Sequence, residues 1–255
     1  MIPATGLCVG LDIDPNRMPD GLPSGPKGMV EFGKHIVEAT QSIATCYKIN
    51  TAFYERFGRA GIDAMYAIRE AIGTAYVIAD CKRGDIGNTS AAYADAMFGD
   101  FGADAVTVAP YMGRDSVEPF LSVANKMVYV LALTSNPGSN DFQRQIVNGR
   151  PLYDVVMETA MQWTRSADIG FVVGATHSAE LAEIRGRIGS VPLLIPGIGA
   201  QGGSAVEVCI ANGGLPAVFN VSRAILYPTD NRRFDLESIQ RAAKLFASQL
   251  RLSAE

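Results

Sequence analysis

Eight short apolar runs rich in branched residues punctuate the chain, at Leu7–Asp12, Thr45–Asn50, Ala75–Asp80, Ala105–Ala109, Met127–Leu133, Gly170–Gly174, Val191–Ile195 and Ala217–Val221. Amphipathic, alanine-rich stretches lie between and after them, at Gly28–Ile43, Ala52–Ile72, Asn88–Phe98, Asp115–Asn125, Pro151–Trp163, Ser178–Arg187, Gly203–Ala211 and Asp235–Leu250. Runs this apolar suit strands buried on both faces, and a helix between successive strands makes their pairing parallel. Eight such repeats in 255 residues predict an α/β chain folded as a single (β/α)8 TIM barrel over residues 1–255. A doubly wound open sheet is the alternative, but it commonly carries fewer strands and leaves the many polar strand ends unexplained.

Composition narrows the functions open to such a chain. A hydrophobic content of 48% supports a sizeable core. The net charge is −4 with both signs dispersed, which leaves neither a basic footprint for nucleic acid nor a polybasic membrane anchor. Met1–Gly10 lacks a basic region followed by a long apolar run, and no stretch of 18 or more apolar residues occurs, so a cytoplasmic protein acting on a small molecule is expected. Cys8, Cys46, Cys81 and Cys209 are widely spaced in or beside apolar runs and read as core residues. His35 and His177 have no partner at ligand spacing and read as surface residues. Tyr54, Phe57, Met65 and Trp163 fall at helical spacing and are expected in the core.

Charge at the mouth of a strand needs a chemical reason. The third run continues as Asp80-Cys-Lys-Arg-Gly-Asp85, giving the spacing Asp80-x-Lys82-x-x-Asp85. Alternation puts Ile78, Asp80 and Lys82 on one face of the strand. The readings open for this tract alone are a structural role, as an ion pair or with Asp85 capping the helix that starts near Asn88, and a reactive pair at the C-terminal rim where barrel chemistry collects. Asp12 ends the first run, and Lys48 with Asn50 ends the second, so a barrel would bring these polar groups to the same mouth. Interleaved carboxylates would keep each lysine protonated, and a protonated lysine at a substrate carbon is a general acid.

Two further segments bear on a ligand. Ile195-Pro196-Gly-Ile-Gly-Ala-Gln-Gly-Gly203 follows the seventh run and Asn220-Val-Ser-Arg223 ends the eighth. Loops seven and eight of such barrels commonly bind phosphate, and Arg223 offers a planar fork of donors. Gly197, Gly199 and Gly202 match G-x-G-x-x-G, but a dinucleotide fingerprint belongs in the first βα unit with an acidic residue about 20 positions on, where this chain has Ser222. The loop from Asp14 to Pro26 reads as a turn-rich connector, whereas the polar loop Thr134–Gln143 is placed to close over the mouth.

Taken together, Gly10-Leu-Asp12, Lys48, Asp80-Cys-Lys-Arg-Gly-Asp-Ile-Gly-Asn-Thr89, Thr134-Ser135, Pro196-Gly-Ile-Gly-Ala-Gln201 and Arg223 resemble the orotidine 5′-monophosphate decarboxylases, in their longer bacterial and mycobacterial-type branch. The resemblance implies cofactor-independent, metal-free conversion of orotidine 5′-monophosphate to uridine 5′-monophosphate and carbon dioxide, the last step of de novo pyrimidine synthesis. It implies Lys82 as the proton donor to the pyrimidine carbon, Asp80 against the substrate carboxylate and Lys48 linking the charges. It further implies a homodimer in which Asp85 and Thr89 reach the neighbouring site, with Asp12 on the ribose, Thr134 and Ser135 on the pyrimidine, and Pro196, Gln201, Ser222 and Arg223 around the phosphate. Many relatives carry glycine where this chain has Ser222. Two rivals share the tract or the fold. A magnesium-dependent sugar-phosphate relative would be expected to place an acidic residue near the end of strand two, where Lys48 stands. A nucleotide-binding regulator would have little use for so many clustered charges.

Overall fold

Strand parity organises the molecule. The computed structural model describes residues 5–176, 178–199, 202–229 and 234–251. Eight parallel strands close into a barrel: β1 Gly6–Gly10, β2 Cys46–Asn50, β3 Val77–Arg83, β4 Ala105–Val108, β5 Met127–Leu133, β6 Asp168–Val173, β7 Leu193–Pro196 and β8 Ala217–Val221. Each strand pairs with its sequence neighbours, and β8 closes on β1 through Gly6↔Val218 to Val9↔Val221. The expected architecture is the observed one.

Because alternate residues point inward, Cys8, Cys46, Ile78, Ala105, Met127, Tyr129, Val172, Leu194 and Val218 fill the barrel interior. The opposite parity, including Val9, Ile49, Ala79, Val106, Val130 and Phe219, packs under the surrounding helices. Those helices are α1 Gly25–Thr40, α2 Ala52–Glu55, α3 Gly58–Ile72, α4 Gly87–Ala94, α5 Arg114–Leu121, α6 Leu152–Met161, α7 Ser178–Ile188, α8 Ala205–Asn212, α9 Arg223–Leu226 and α10 Leu236–Arg251. Among the described residues no helix is long and apolar enough to cross a membrane. All four cysteines are free and buried, Tyr54 and Met65 are core residues, and Phe57 and Trp163 pack partly buried against the core. His35 lies on α1 beside Glu38, and His177 lies outside the described residues.

Two expectations are corrected, and the loop after β5 gains detail. The single helix expected over Ala52–Ile72 is two, divided at Gly58, whose φ of +57° few other residues adopt cheaply. The helix expected to run to Phe98 ends at Ala94 and passes into a wider turn over Asp95–Asp100. The loop after β5 carries a 3₁₀ turn at Pro137–Asn140 and a small hairpin pairing Ile146–Val147 with Arg150–Pro151 before α6 begins.

Candidate active site

The inward parity that is apolar within the barrel turns polar at its C-terminal mouth. Lys48 and Asn50 continue the parity of Cys46, Asp80 continues that of Ile78, Thr107 that of Ala105, and Asn220 that of Val218. Together with Asp12, just beyond β1, all of these but Thr107 border a cavity of about 520 Å³ that also meets Lys82, Thr134, Ser135, Pro196, Ser222 and Arg223. The walls are completed by the apolar Phe53, Leu131, Val172, Leu194 and Ile198. A deep, partly apolar pocket with a few convergent charges is the form a small-molecule site takes.

At its floor the charges alternate. Lys48, only 3% exposed, donates from Nζ to Asp12 Oδ1 at 3.1 Å and to Asp80 Oδ2 at 2.9 Å. Lys82 Nζ meets the other Asp80 oxygen, Oδ1, at 2.5 Å. Burial by itself would raise the Asp80 carboxyl, but the attraction and hydrogen bonds of Lys48 and Lys82 outweigh it and hold the group well below the ordinary carboxylate range. Burial would likewise lower Lys48, yet Asp12 and Asp80 hold its ammonium above the ordinary lysine value. Lys48 is therefore a fixed buried cation, while Lys82, on the rim side of Asp80, is half exposed to the cavity.

The rim is held by side chains that sequence reasoning passed over. Tyr54, buried on α2, donates to the Leu11 carbonyl at 2.7 Å and fixes the backbone next to Asp12. Gln143 accepts from the Thr134 backbone N–H at 2.7 Å and donates to Thr134 Oγ1 at 2.9 Å, so the loop after β5 folds back on its own start. Asp14 lines the cavity, and its backbone N–H donates to the Tyr227 hydroxyl at 2.9 Å; the loop expected to be a mere connector therefore forms part of the site. Ser222 Oγ, next to Arg223 in the chain, is buried without a hydrogen-bond partner among the described residues. The Ser222 side chain fits there because the facing strand has Gly10, where an added Cβ would come within 2.9 Å of Ser222 Cβ.

Asp85 and Thr89 are not brought to this cavity. Asp85 accepts from the Ile86 backbone N–H at 2.8 Å and Thr89 is exposed at the start of α4. Gln201 falls outside the described residues. Among the described residues no three His, Cys, Asp or Glu side chains cluster as a metal ion would require.

Fold and site together define a parallel barrel with a lysine–carboxylate array at the C-terminal mouth and a partly apolar cavity above it. The sequence model of the orotidine 5′-phosphate decarboxylase / HUMPS family matches residues 5–233, and the chain belongs to that family. It is 44% identical over 243 residues to the orotidine 5′-phosphate decarboxylase of Herpetosiphon aurantiacus, covering 94% of this chain and 90% of that protein. It is 48% identical over 236 residues to the enzyme of the same name from Christiangramia forsetii, covering 89% and 86%. The solved structure of Leishmania donovani OMP decarboxylase superposes with a TM-score of 0.84 at 36% identity, covering 97% of this chain and 93% of that one.

Proposed function

We propose that the lysine–carboxylate array carries out the decarboxylation of orotidine 5′-monophosphate to uridine 5′-monophosphate and carbon dioxide, the activity of this carboxy-lyase in pyrimidine biosynthesis, with Lys82 as proton donor. The observation that carries this reading is the alternation Asp12–Lys48–Asp80–Lys82 at the floor of one cavity. Loss of carbon dioxide leaves an electron pair on a ring carbon, so a cation fixed there stabilises the transition state more than the ground state. Lys82 supplies that cation and transfers its proton to the carbon as the bond to carbon dioxide breaks. Asp80 lies against the departing carboxylate and orients Lys82. Lys48 neutralises Asp80 from behind, so that the carboxylate stays ionised without itself needing a proton.

Around this centre, Asp12 takes the ribose hydroxyls, Thr134 and Ser135 the pyrimidine edge, and Pro196, Gln201, Ser222 and Arg223 the phosphate. Ser222, whose buried Oγ has no hydrogen-bond partner among the described residues, and Arg223 both line the cavity, which supports an oxyanion there. Whole-chain folding as one barrel, a cytoplasmic setting, and a homodimer in which Asp85 and Thr89 serve the neighbouring subunit belong to the same reading. The dimer is supported by the position of both residues outside their own cavity, by the exposed Ile86 between them in the chain, and by the exposed Tyr111 and Met112 on the loop after β4, whose Ala109 N–H donates to the Arg83 carbonyl. A metal-dependent sugar-phosphate chemistry is disfavoured by the Lys48 ammonium, which would repel a cation at the end of β2.

The test is the fall in absorbance when chelator-treated protein is given orotidine 5′-monophosphate. Turnover in the parent and its loss in Lys82→Ala, with binding of uridine 5′-monophosphate retained, is the expected result. Full turnover in Lys82→Ala would remove Lys82 from the chemistry, and turnover of a sugar phosphate that requires magnesium would replace the substrate.

A further inference from the structure

Thr107 is the single polar residue of β4 and is fully buried. Its hydroxyl is used in both directions: it accepts the Lys82 backbone N–H at 3.0 Å and donates to Asp80 Oδ1 at 2.9 Å. Lys82 Nζ lies 2.5 Å from that same carboxylate oxygen. One hydroxyl thus holds the backbone end of Lys82 and the anion on which its ammonium rests.

The strand pairing explains why a hydroxyl is needed there. β3 and β4 are in register at Ala79↔Val106 and again at Arg83↔Val108, so Asp80, Cys81 and Lys82 stand opposite Thr107 alone. This bulge leaves Lys82 with a φ of +44°, a left-handed conformation that a residue with a Cβ adopts only when its surroundings impose it. Bulges beside active sites re-aim a side chain, and here an N–H displaced from the ladder needs another acceptor. The Thr107 carbonyl also accepts from Cys81 Sγ at 3.5 Å, so the same residue contacts the bulge at three points.

We propose that Thr107 is a positioning residue for the decarboxylation: its hydroxyl sets the direction of the Lys82 ammonium by tying the bulged Lys82 backbone to the Asp80 carboxylate. The inference rests on the reading of Lys82 as proton donor. Thr107 need not touch the substrate. It acts through Lys82 and Asp80, and its contribution is to hold the donor where the developing carbanion forms. Misplacement of a catalytic group by about 1 Å costs on the order of 10²-fold in rate.

Valine at this position keeps the shape and removes the hydroxyl, whereas serine keeps the hydroxyl. Steady-state kinetics of chelator-treated enzyme with orotidine 5′-monophosphate would be compared for the parent, Thr107→Val, Thr107→Ser and Lys82→Ala, with uridine 5′-monophosphate binding used to count competent sites. For Thr107→Val, kcat per competent site is expected to fall about 10²-fold while KM stays within about threefold. Thr107→Ser should recover to within about fivefold of the parent. Thr107→Ala carries the same expectation and replaces the valine variant if that chain does not fold. If Lys82→Ala is inactive and both hydroxyl-free variants turn over at the parent rate, or lose only KM, the Thr107 proposal alone is overturned. An active Lys82→Ala would overturn the donor reading and the positioning role with it.

Discussion

At the scale of single residues, Lys48 decides whether the floor of the site can exist. It is buried between two carboxylates, and its removal leaves Asp80 with one cation in place of two and Asp12 without the cation it now meets. Truncating one partner of a buried ion pair generally costs about 3–5 kcal/mol, because the remaining charge stays desolvated. Lys48→Met, of similar length and no charge, is therefore expected to lose about that much stability in urea denaturation at neutral pH. The pH dependence follows from the Asp80 carboxyl, which folding holds well below its ordinary value against the opposing effect of burial. The unfolded chain takes up this proton first as pH falls, so the stabilisation is complete above the ordinary carboxylate pKa, about 3.9, and is lost as pH drops toward the depressed folded value. The stability gap between parent and Lys48→Met should be full at pH 7 and narrow below about pH 4. A gap unchanged across that range would show that Lys48 does not set the Asp80 carboxyl.

At the scale of elements, the parts legible in the sequence were those governed by period and composition. Alternation in Val77–Asp80 places Ile78 and Asp80 inward, as found, and the apolar runs mark all eight barrel strands. The same logic could have found Thr107, which shares the parity of the interior residue Ala105 one step before the strand end. What period could not reveal is the bulge in β3, because two extra residues in a strand leave the local pattern apolar and charged in the same order. Nor could it reveal the break between α2 and α3, where the amphipathic spacing persists through the interruption. Gly58 supplies the left-handed residue, and Gly61 packs so closely that an added Cβ would stand 1.9 Å from the Tyr54 carbonyl oxygen. Tyr54 is the residue whose hydroxyl fixes the Leu11 carbonyl beside Asp12. Gly61→Ala must push α3 away from Tyr54, so a loss of about 1–3 kcal/mol is expected from overpacking, together with a raised KM as Asp12 shifts. A melting temperature and KM equal to the parent's would mean that this turn does not set the position of Asp12.

At the scale of the whole molecule, the tract that begins in one site ends outside it. Asp80 and Lys82 border the cavity, but three residues beyond β3 begins an exposed segment in which Ile86 is 58% exposed, and Tyr111 on the neighbouring loop is 84% exposed. Tyr111 leans on Phe142 of the loop after β5, with ring centroids 6.1 Å apart, so this apolar rim adjoins the loop that carries Thr134 and Ser135. A second copy seated on this rim would cover the apolar groups and carry Asp85 and Thr89 toward the neighbouring mouth, the arrangement expected of a two-fold homodimer. Subunit mixing tests it directly. Lys82→Ala and Asp85→Ala homodimers should each be inactive, because every site lacks one of the two groups. A hybrid dimer would contain one site with both groups intact and one with neither, so after full exchange of an equimolar mixture about a quarter of all sites become competent. Activity rising to on the order of a quarter of the parent's, with exchange verified by differently tagged subunits, is the expected outcome. If exchange is complete and no activity returns, Asp85 serves its own site, and the exposed start of α4 must close over the cavity of the same chain.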